Sequence, residues 1–215
     1  MDKKINNTTL KYLLTQIILF SFLIFLIISV SFNFDFINKI NNLAFKFCDL
    51  IRSNFINNFM LIITYLGEAL TLVIILIFIL IFNKKLAFPL ISLTALSTII
   101  NYSLKNILQI SRPTGEFVSN LIFNYPFPSS YSFPSGHSQT SLVFYFLLGF
   151  LFLKNYYKGK HTKLYLFLIS ILPLSIGFSR IMLGVHYFTD VLSGFVIGLI
   201  ILTNFIYFSY KINEN

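Results

Sequence analysis

The sequence predicts an all-α, polytopic membrane protein: six transmembrane helices in one bundle, with an amphipathic helix lying in the interface. Three observations lead there. Of 215 residues, 56% are hydrophobic and only 11% are charged, where a soluble domain carries roughly 25%. The apolar residues gather into six runs, each close to the ~20 residues that cross a hydrocarbon core. The lysines cluster in the short segments on one side of those runs, as the positive-inside rule requires.

The first run covers about Tyr12 to Phe32. It follows Met1-Asp2-Lys3-Lys4, but it is longer than a secretory core and no small-residue cleavage site follows, so it reads as a retained span. Asp35 to Asn54 has another pattern. Phe36, Ile37, Ile40, Leu43, Ala44, Phe47, Leu50 and Ile51 recur at helical spacing, while Asp35, Lys39, Asn42, Lys46, Asp49 and Arg52 take the opposite face. That pattern predicts a helix in the plane of the interface. The remaining runs cover about 59–82, 86–108, 138–153, 164–182 and 191–208. No soluble domain or long linker separates them, so residues 1–215 read as a single membrane-embedded domain.

Lys3, Lys4, Lys11, Lys84, Lys85, Lys154, Lys158, Lys160, Lys163 and Lys211 fall on one side if the spans alternate. That side is then cytoplasmic, so the chain is expected in the cytoplasmic membrane with both termini in the cytoplasm and the opposite, extracytoplasmic side carrying the active site. The net charge of +9 is thereby a topology signal. It offers no basic groove for nucleic acid. The single cysteine, Cys48, excludes an internal disulfide and a Cys-rich metal site.

Three segments on the opposite side carry ionisable groups at membrane depth. Lys105, Arg112 and Arg180 are cations with few acidic neighbours in sequence. Burying three like charges near a bilayer is unfavourable unless an anion joins them. Phosphate matches guanidinium forks and also accepts from an ammonium. Pro134-Ser135-Gly136 precedes an apolar helix, whose free N–H groups bind anions. Gly136 permits close backbone approach, and the Ser135 hydroxyl adds a donor. His186 and Asp190 are four apart, so a carboxylate reaches one ring nitrogen and frees the other for attack. His137, in the facing loop, serves as general acid. Each pattern alone has an ordinary structural reading; Arg112-Pro113, for instance, marks a helix end. Their coincidence on one side of the membrane does not.

Taken together, Lys105-x6-Arg112-Pro113, Pro134-Ser135-Gly136-His137 and Ser179-Arg180-x5-His186-x3-Asp190 resemble the three-part signature of the type 2 phosphatidic acid phosphatase superfamily, which also holds the vanadium-dependent haloperoxidases. The resemblance covers about residues 105–190 and departs from the pattern at none of these positions. It implies Lys105, Arg112, Ser135, Gly136 and Arg180 as phosphate ligands, His186 as a nucleophile forming a phosphohistidine, His137 as acid and Asp190 as the group orienting His186. It implies no metal or other cofactor. The expected substrate is a lipid phosphate: phosphatidic acid, phosphatidylglycerophosphate or undecaprenyl pyrophosphate. Phosphoryl transfer to another acceptor, or a non-catalytic lipid-binding or transport protein on the same scaffold, are the alternatives. Glu68 lies toward the outer end of the second run. It reads either as a helix-end residue or as a contact to a headgroup or a site cation. The loop from Thr114 to Phe133, with Glu116, Pro126 and Pro128, is expected to shape substrate choice.

Overall fold

The computed structural model describes residues 7–113, 127–156, 159 and 161–214, with side chains to residue 211. Among these residues the chain is helical, without strands. The helices are α1 Asn7–Ser31, α2 Asp35–Ile51, α3 Asn54–Tyr65, α4 Ala69–Phe82, α5 Lys84–Leu108, α6 Gly136–Tyr156, α7 Thr162–Met182 and α8 Phe188–Glu214. Five of them, α1, α5, α6, α7 and α8, are singly long and apolar enough to span a membrane.

The second predicted span is not one helix. The run 59–82 is divided into α3 and α4, which meet at 51°. The chain turns at Leu66, Gly67 and Glu68, and the break is held by Thr71 Oγ1 donating to the Tyr65 carbonyl at 2.7 Å. A second span therefore exists only as this bent pair. The interfacial helix ends at Ile51 rather than Asn54, because Ser53 caps α3 by accepting from the Ile56 N–H. Helices α1, α6 and α8 begin a few residues earlier than their apolar runs, since polar first turns carry no hydropathy signal. Residues Lys3, Lys4, Lys158 and Lys160, and the part of the outer loop that holds Glu116 and Pro126, lie outside the described residues.

α6 is central. It packs on α5, α7 and α8; α1 lies along α8, α4 along α5, and α3 along α7. Leu86, Leu90, Phe144, Leu147, Ile197 and Leu202 are buried at these seams. Side chains such as Ile17, Ile18, Ile77 and Phe78 face outward, as an apolar solvent allows. A polar seam adds to the α1–α8 contact: Gln16 Nε2 donates to Thr203 Oγ1 at 2.7 Å, and the Tyr12 hydroxyl to Asn204 Oδ1 at 2.7 Å.

α2 does more than lie in the interface. Phe45 and Cys48 pack against Ile181, Met182 and Val191. Arg52 Nη2 donates to the Met182 carbonyl at 2.9 Å, and Asn41 Oδ1 accepts from the Thr189 N–H at 3.2 Å. These contacts brace both ends of the turn between α7 and α8, which carries His186.

Chain direction sorts the charges. α5 starts at Lys84 and Lys85, and Lys105 is in its last turn. α6 starts at Gly136 and reaches Lys154; α7 starts beside Lys163 and ends beyond Arg180; α8 starts near Asp190 and reaches Lys211. The motif residues thus collect at one end of the bundle, with the other described lysines of α5 to α8 at the opposite end.

Candidate active site

The α7–α8 turn is shaped by its sequence. Gly184 has φ 65°, a left-handed conformation that favours glycine. It lets the N–H groups of Val185 and His186 return to the Arg180 carbonyl at 3.2 and 3.3 Å. His186 is thereby turned into the bundle, where it is 2% exposed. Its Nδ1 lies 3.2 Å from Asp190 Oδ2. The same carboxylate oxygen accepts from the Tyr187 N–H at 2.9 Å and from the Ser132 hydroxyl.

The other ring nitrogen of His186, Nε2, lies 3.1 Å from Arg112 Nη1. A guanidinium only donates, so Nε2 accepts, and the proton of the neutral ring is on Nδ1, toward Asp190. Burial first, and then the positive charges of Arg112, Arg180 and Lys105, hold the His186 imidazole well below its ordinary value of 6.5. The geometry and the electrostatics agree on a neutral imidazole with its lone pair directed at Arg112.

Among the described residues the three cations donate to neutral oxygens. Arg112 donates to the carbonyls of Val185 at 2.6 Å and Ser130 at 2.7 Å, and to Ser130 Oγ at 3.1 Å. Lys105 donates to the carbonyls of Tyr131 and Ser132. Arg180 is 1% exposed, and its Nη1 donates to Thr64 Oγ1 at 2.7 Å.

The loop before α6 is packed from behind. Asn101 Nδ2 donates to the Pro134 carbonyl at 3.2 Å and to Gln139 Oε1 at 3.0 Å, and Gln139 Nε2 donates to the Ser97 carbonyl at 2.8 Å. A Cβ at position 136 would meet Asn101 Oδ1 at 3.0 Å, and one at 194 would meet the Ser135 carbonyl at 2.6 Å. Glycine at both positions lets α5 and α8 close on this loop. Ser135 is the N-cap of α6; its Oγ accepts from Ser138 Oγ at 2.9 Å.

Lys105, Arg112, Gly136, His137, Arg180 and His186 line one cavity of about 410 Å³, together with Glu68, Phe127, Pro128, Ser129 and Ser130. Asp190 stands behind His186, and Ser135 is buried beneath the loop. All eight motif residues thus converge, six on the cavity wall and two in support. Ser132, Thr64, Asn101 and Gln139 are parts that sequence reasoning did not single out. A larger apolar recess of about 510 Å³ lies between α2, α7 and α8 and carries no such groups.

Comparison with known proteins decides the family. The profile of the PAP2 superfamily matches residues 86–214. The chain belongs to the PAP2 superfamily. Phosphatidylglycerophosphatase B of Bacillus subtilis (strain 168) is 31% identical over 186 residues, covering 84% of this chain and 88% of that protein. A protein of Escherichia coli (strain K12), provisionally named an undecaprenyl-diphosphatase, is 29% identical over 119 residues, covering 55% of this chain and 54% of that one. Among solved structures, a transmembrane PAP2 type phosphatidylglycerolphosphate phosphatase from Bacillus subtilis aligns with a TM-score of 0.80 at 26% identity, covering 92% of this chain and 97% of that one. LpxE of Aquifex aeolicus aligns with a TM-score of 0.58 at 30% identity, covering 77% and 93%. This PAP2 protein is therefore an integral membrane protein of the transmembrane branch. The matched region contains every motif residue described above.

Proposed function

We propose that this membrane PAP2-type lipid phosphatase removes the terminal phosphate of a lipid through a phosphohistidine at His186. The observation that carries the reading is the two-sided environment of that ring. Asp190 accepts a hydrogen bond from the Nδ1–H, while Nε2 points into a cavity lined by Arg112, Arg180 and Lys105.

A phosphoryl group bound by Arg112 is held within reach of Nε2. The lone pair of Nε2 attacks phosphorus in line, and the bond to the lipid oxygen breaks. Its electron pair stays on that oxygen, which takes a proton from His137. Asp190 stabilises the positive charge developing on the ring. Lys105, Arg112, Arg180 and the N–H groups at the start of α6 stabilise charge on the equatorial oxygens, with Ser135 holding that helix start. In the second step water attacks phosphorus and gives its proton to His137, the P–N bond breaks, and inorganic phosphate leaves. The cationic side chains supply the charge stabilisation, so this scheme needs no metal or other cofactor.

The names of the relatives, a phosphatidylglycerophosphatase and a proposed undecaprenyl-diphosphatase, point to a terminal phosphate on a lipid as the substrate class, and phosphatidic acid has the same chemistry. We place the site on the extracytoplasmic face of the cytoplasmic membrane, with both termini inside, because the lysine-rich helix ends lie opposite it. The whole chain serves as one membrane-embedded unit. The test is purified His186→Ala assayed on a panel of lipid phosphates with chelator present. Loss of turnover on every substrate is expected; turnover equal to the parent protein would exclude His186 as nucleophile. Release of labelled inorganic phosphate separates hydrolysis from transfer to another acceptor.

A further inference from the structure

Glu68 belongs to none of the three motifs, yet it lines the phosphate cavity. It comes from the break between α3 and α4, and that break is built into the site by three contacts. Thr64 takes Arg180. The Tyr145 hydroxyl, from a π-helical stretch of α6, donates to the Leu66 carbonyl at 2.7 Å. Gly67 packs so closely that a Cβ there would lie 3.1 Å from His137 Cδ2 and 2.5 Å from Ile176 Cγ2. Glu68 is thereby held with Oε1 3.3 Å from His137 Nε2, one-third exposed. Helix capping does not account for it. Glu68 is the N-cap of α4, but its side chain makes no capping hydrogen bond.

A carboxylate beside phosphate-binding cations offsets part of their attraction for an anion. Its contact with His137 gives it a use. A carboxylate facing an imidazole nitrogen fixes the ring and keeps the proton on that nitrogen. At 3.3 Å the contact is loose and becomes an ion pair only when the ring is protonated, and Nε2 has no hydrogen-bond partner among the described residues. Its proton remains available to an oxygen that arrives in the cavity.

We propose that Glu68 is a positioning residue that holds His137 as proton donor to the leaving oxygen, and thereby favours lipid phosphomonoesters over lipid diphosphates. This rests on the role given to His137 above. When a monoester is cleaved, the P–O electron pair leaves on an alkoxide, which needs the proton from His137 Nε2. Glu68 acts through His137 and does not touch the substrate. When a diphosphate is cleaved, the leaving group is itself a phosphate. It departs as a stable anion with little need of a proton, and its negative charge is repelled by Glu68.

The test is Glu68→Ala, purified in detergent and compared with the parent protein on three substrates: an alkyl lipid phosphate, an aryl phosphate and a prenyl diphosphate. General acid catalysis contributes 10²–10⁴-fold, and loss of a group acting through the acid should remove about tenfold of that. The expected result is a fall of about tenfold in kcat/KM, which reads the first chemical step alone, on the alkyl phosphate and an unchanged kcat/KM on the aryl phosphate, whose leaving group needs no proton. The prenyl diphosphate should hold or rise. Because each comparison is a ratio on one preparation, a loss of folded protein cancels. Glu68→Gln is read by the same ratio if the alanine variant is not obtained. In a His137→Ala background, Glu68→Ala should leave the ratio unmoved. Equal losses on all three substrates, an unchanged alkyl phosphate, or a further shift in the His137→Ala background each overturn the proposal. Retained turnover in His186→Ala would instead sink the histidine mechanism itself, so the two failures are distinct.

Discussion

Replacing Asp190 with Asn should slow the enzyme far less than replacing it with Ala. Asp190 is fully buried, and one of its oxygens, Oδ2, takes three donors: His186 Nδ1, the Tyr187 N–H and the Ser132 hydroxyl. The other oxygen, Oδ1, has no partner among the described residues. An asparagine must therefore seat its carbonyl in the Oδ2 position, because an NH₂ there would face a backbone N–H that cannot turn away. The His186 tautomer is kept, and only the negative charge is lost. A hydrogen bond to a charged group contributes about 1.5–3 kcal/mol against about 0.5–1.5 for a neutral one. The difference, about 1–2 kcal/mol, is a factor of roughly 5–30 in rate. Where a substituted amide turns its NH₂ to the ring, the wrong tautomer costs about 10⁴, and alanine, which orients nothing, should approach that loss. The assay is kcat of each purified variant on a lipid phosphate in detergent, normalised to folded protein. Equal losses in Asp190→Asn and Asp190→Ala would refute the claim that Tyr187 and Ser132 pin the carbonyl.

Three other outcomes follow from the same geometry. Thr64→Val removes the acceptor of Arg180 Nη1 at nearly constant volume. Leaving a buried donor short of a partner costs about 1–3 kcal/mol, so the melting temperature should fall and KM should rise about tenfold; unchanged values of both would contradict the role of Thr64. Gly194→Ala drives a Cβ to 2.6 Å from the Ser135 carbonyl and 3.1 Å from the Gln139 N–H, both backbone groups. Overpacking of this kind costs about 1–3 kcal/mol, so stability and turnover should drop together, and wild-type values of both would show that α8 stands further off. Finally, His186 in the free protein should remain neutral as pH falls through 6.5, because its pKa lies well below that value. Ring-labelled histidine NMR in detergent, assigned with His137 and His161 variants, reads this directly; titration at or above 6.5 would remove the case for a neutral nucleophile.

Much of the site was legible because its chemistry is concentrated in residues that a bilayer tolerates poorly. Arg112, Arg180 and Lys105 stand out against apolar surroundings, and the spacing of His186 and Asp190 reads directly as one helical turn. The spans were legible for the same reason, as long apolar runs. The break at Leu66-Gly67-Glu68 was not, since hydropathy continues across it; only Gly67 and Glu68 marked the place, and the alternatives considered for Glu68 did not include His137. Ser132, Thr64, Asn101 and Gln139 are ordinary polar residues in sequence. Their roles arise from which helices approach one another, and nothing local encodes that approach. The interfacial helix was visible from its two faces, but its bracing of the α7–α8 turn through Asn41 and Arg52 depends on a docking geometry that periodicity does not describe.

The central claim is a covalent bond between phosphorus and the ring of His186, and rapid quenching tests it most directly. The protein is mixed with a lipid substrate labelled in its terminal phosphate, quenched in denaturant at alkaline pH within a turnover, digested and mapped by mass spectrometry. The account predicts an acid-labile, base-stable label on the peptide containing position 186, absent in His186→Ala and longer-lived in His137→Ala, where the second step lacks its base. Label on any other residue, or turnover of the parent protein with no label trapped at any quench time, would contradict it.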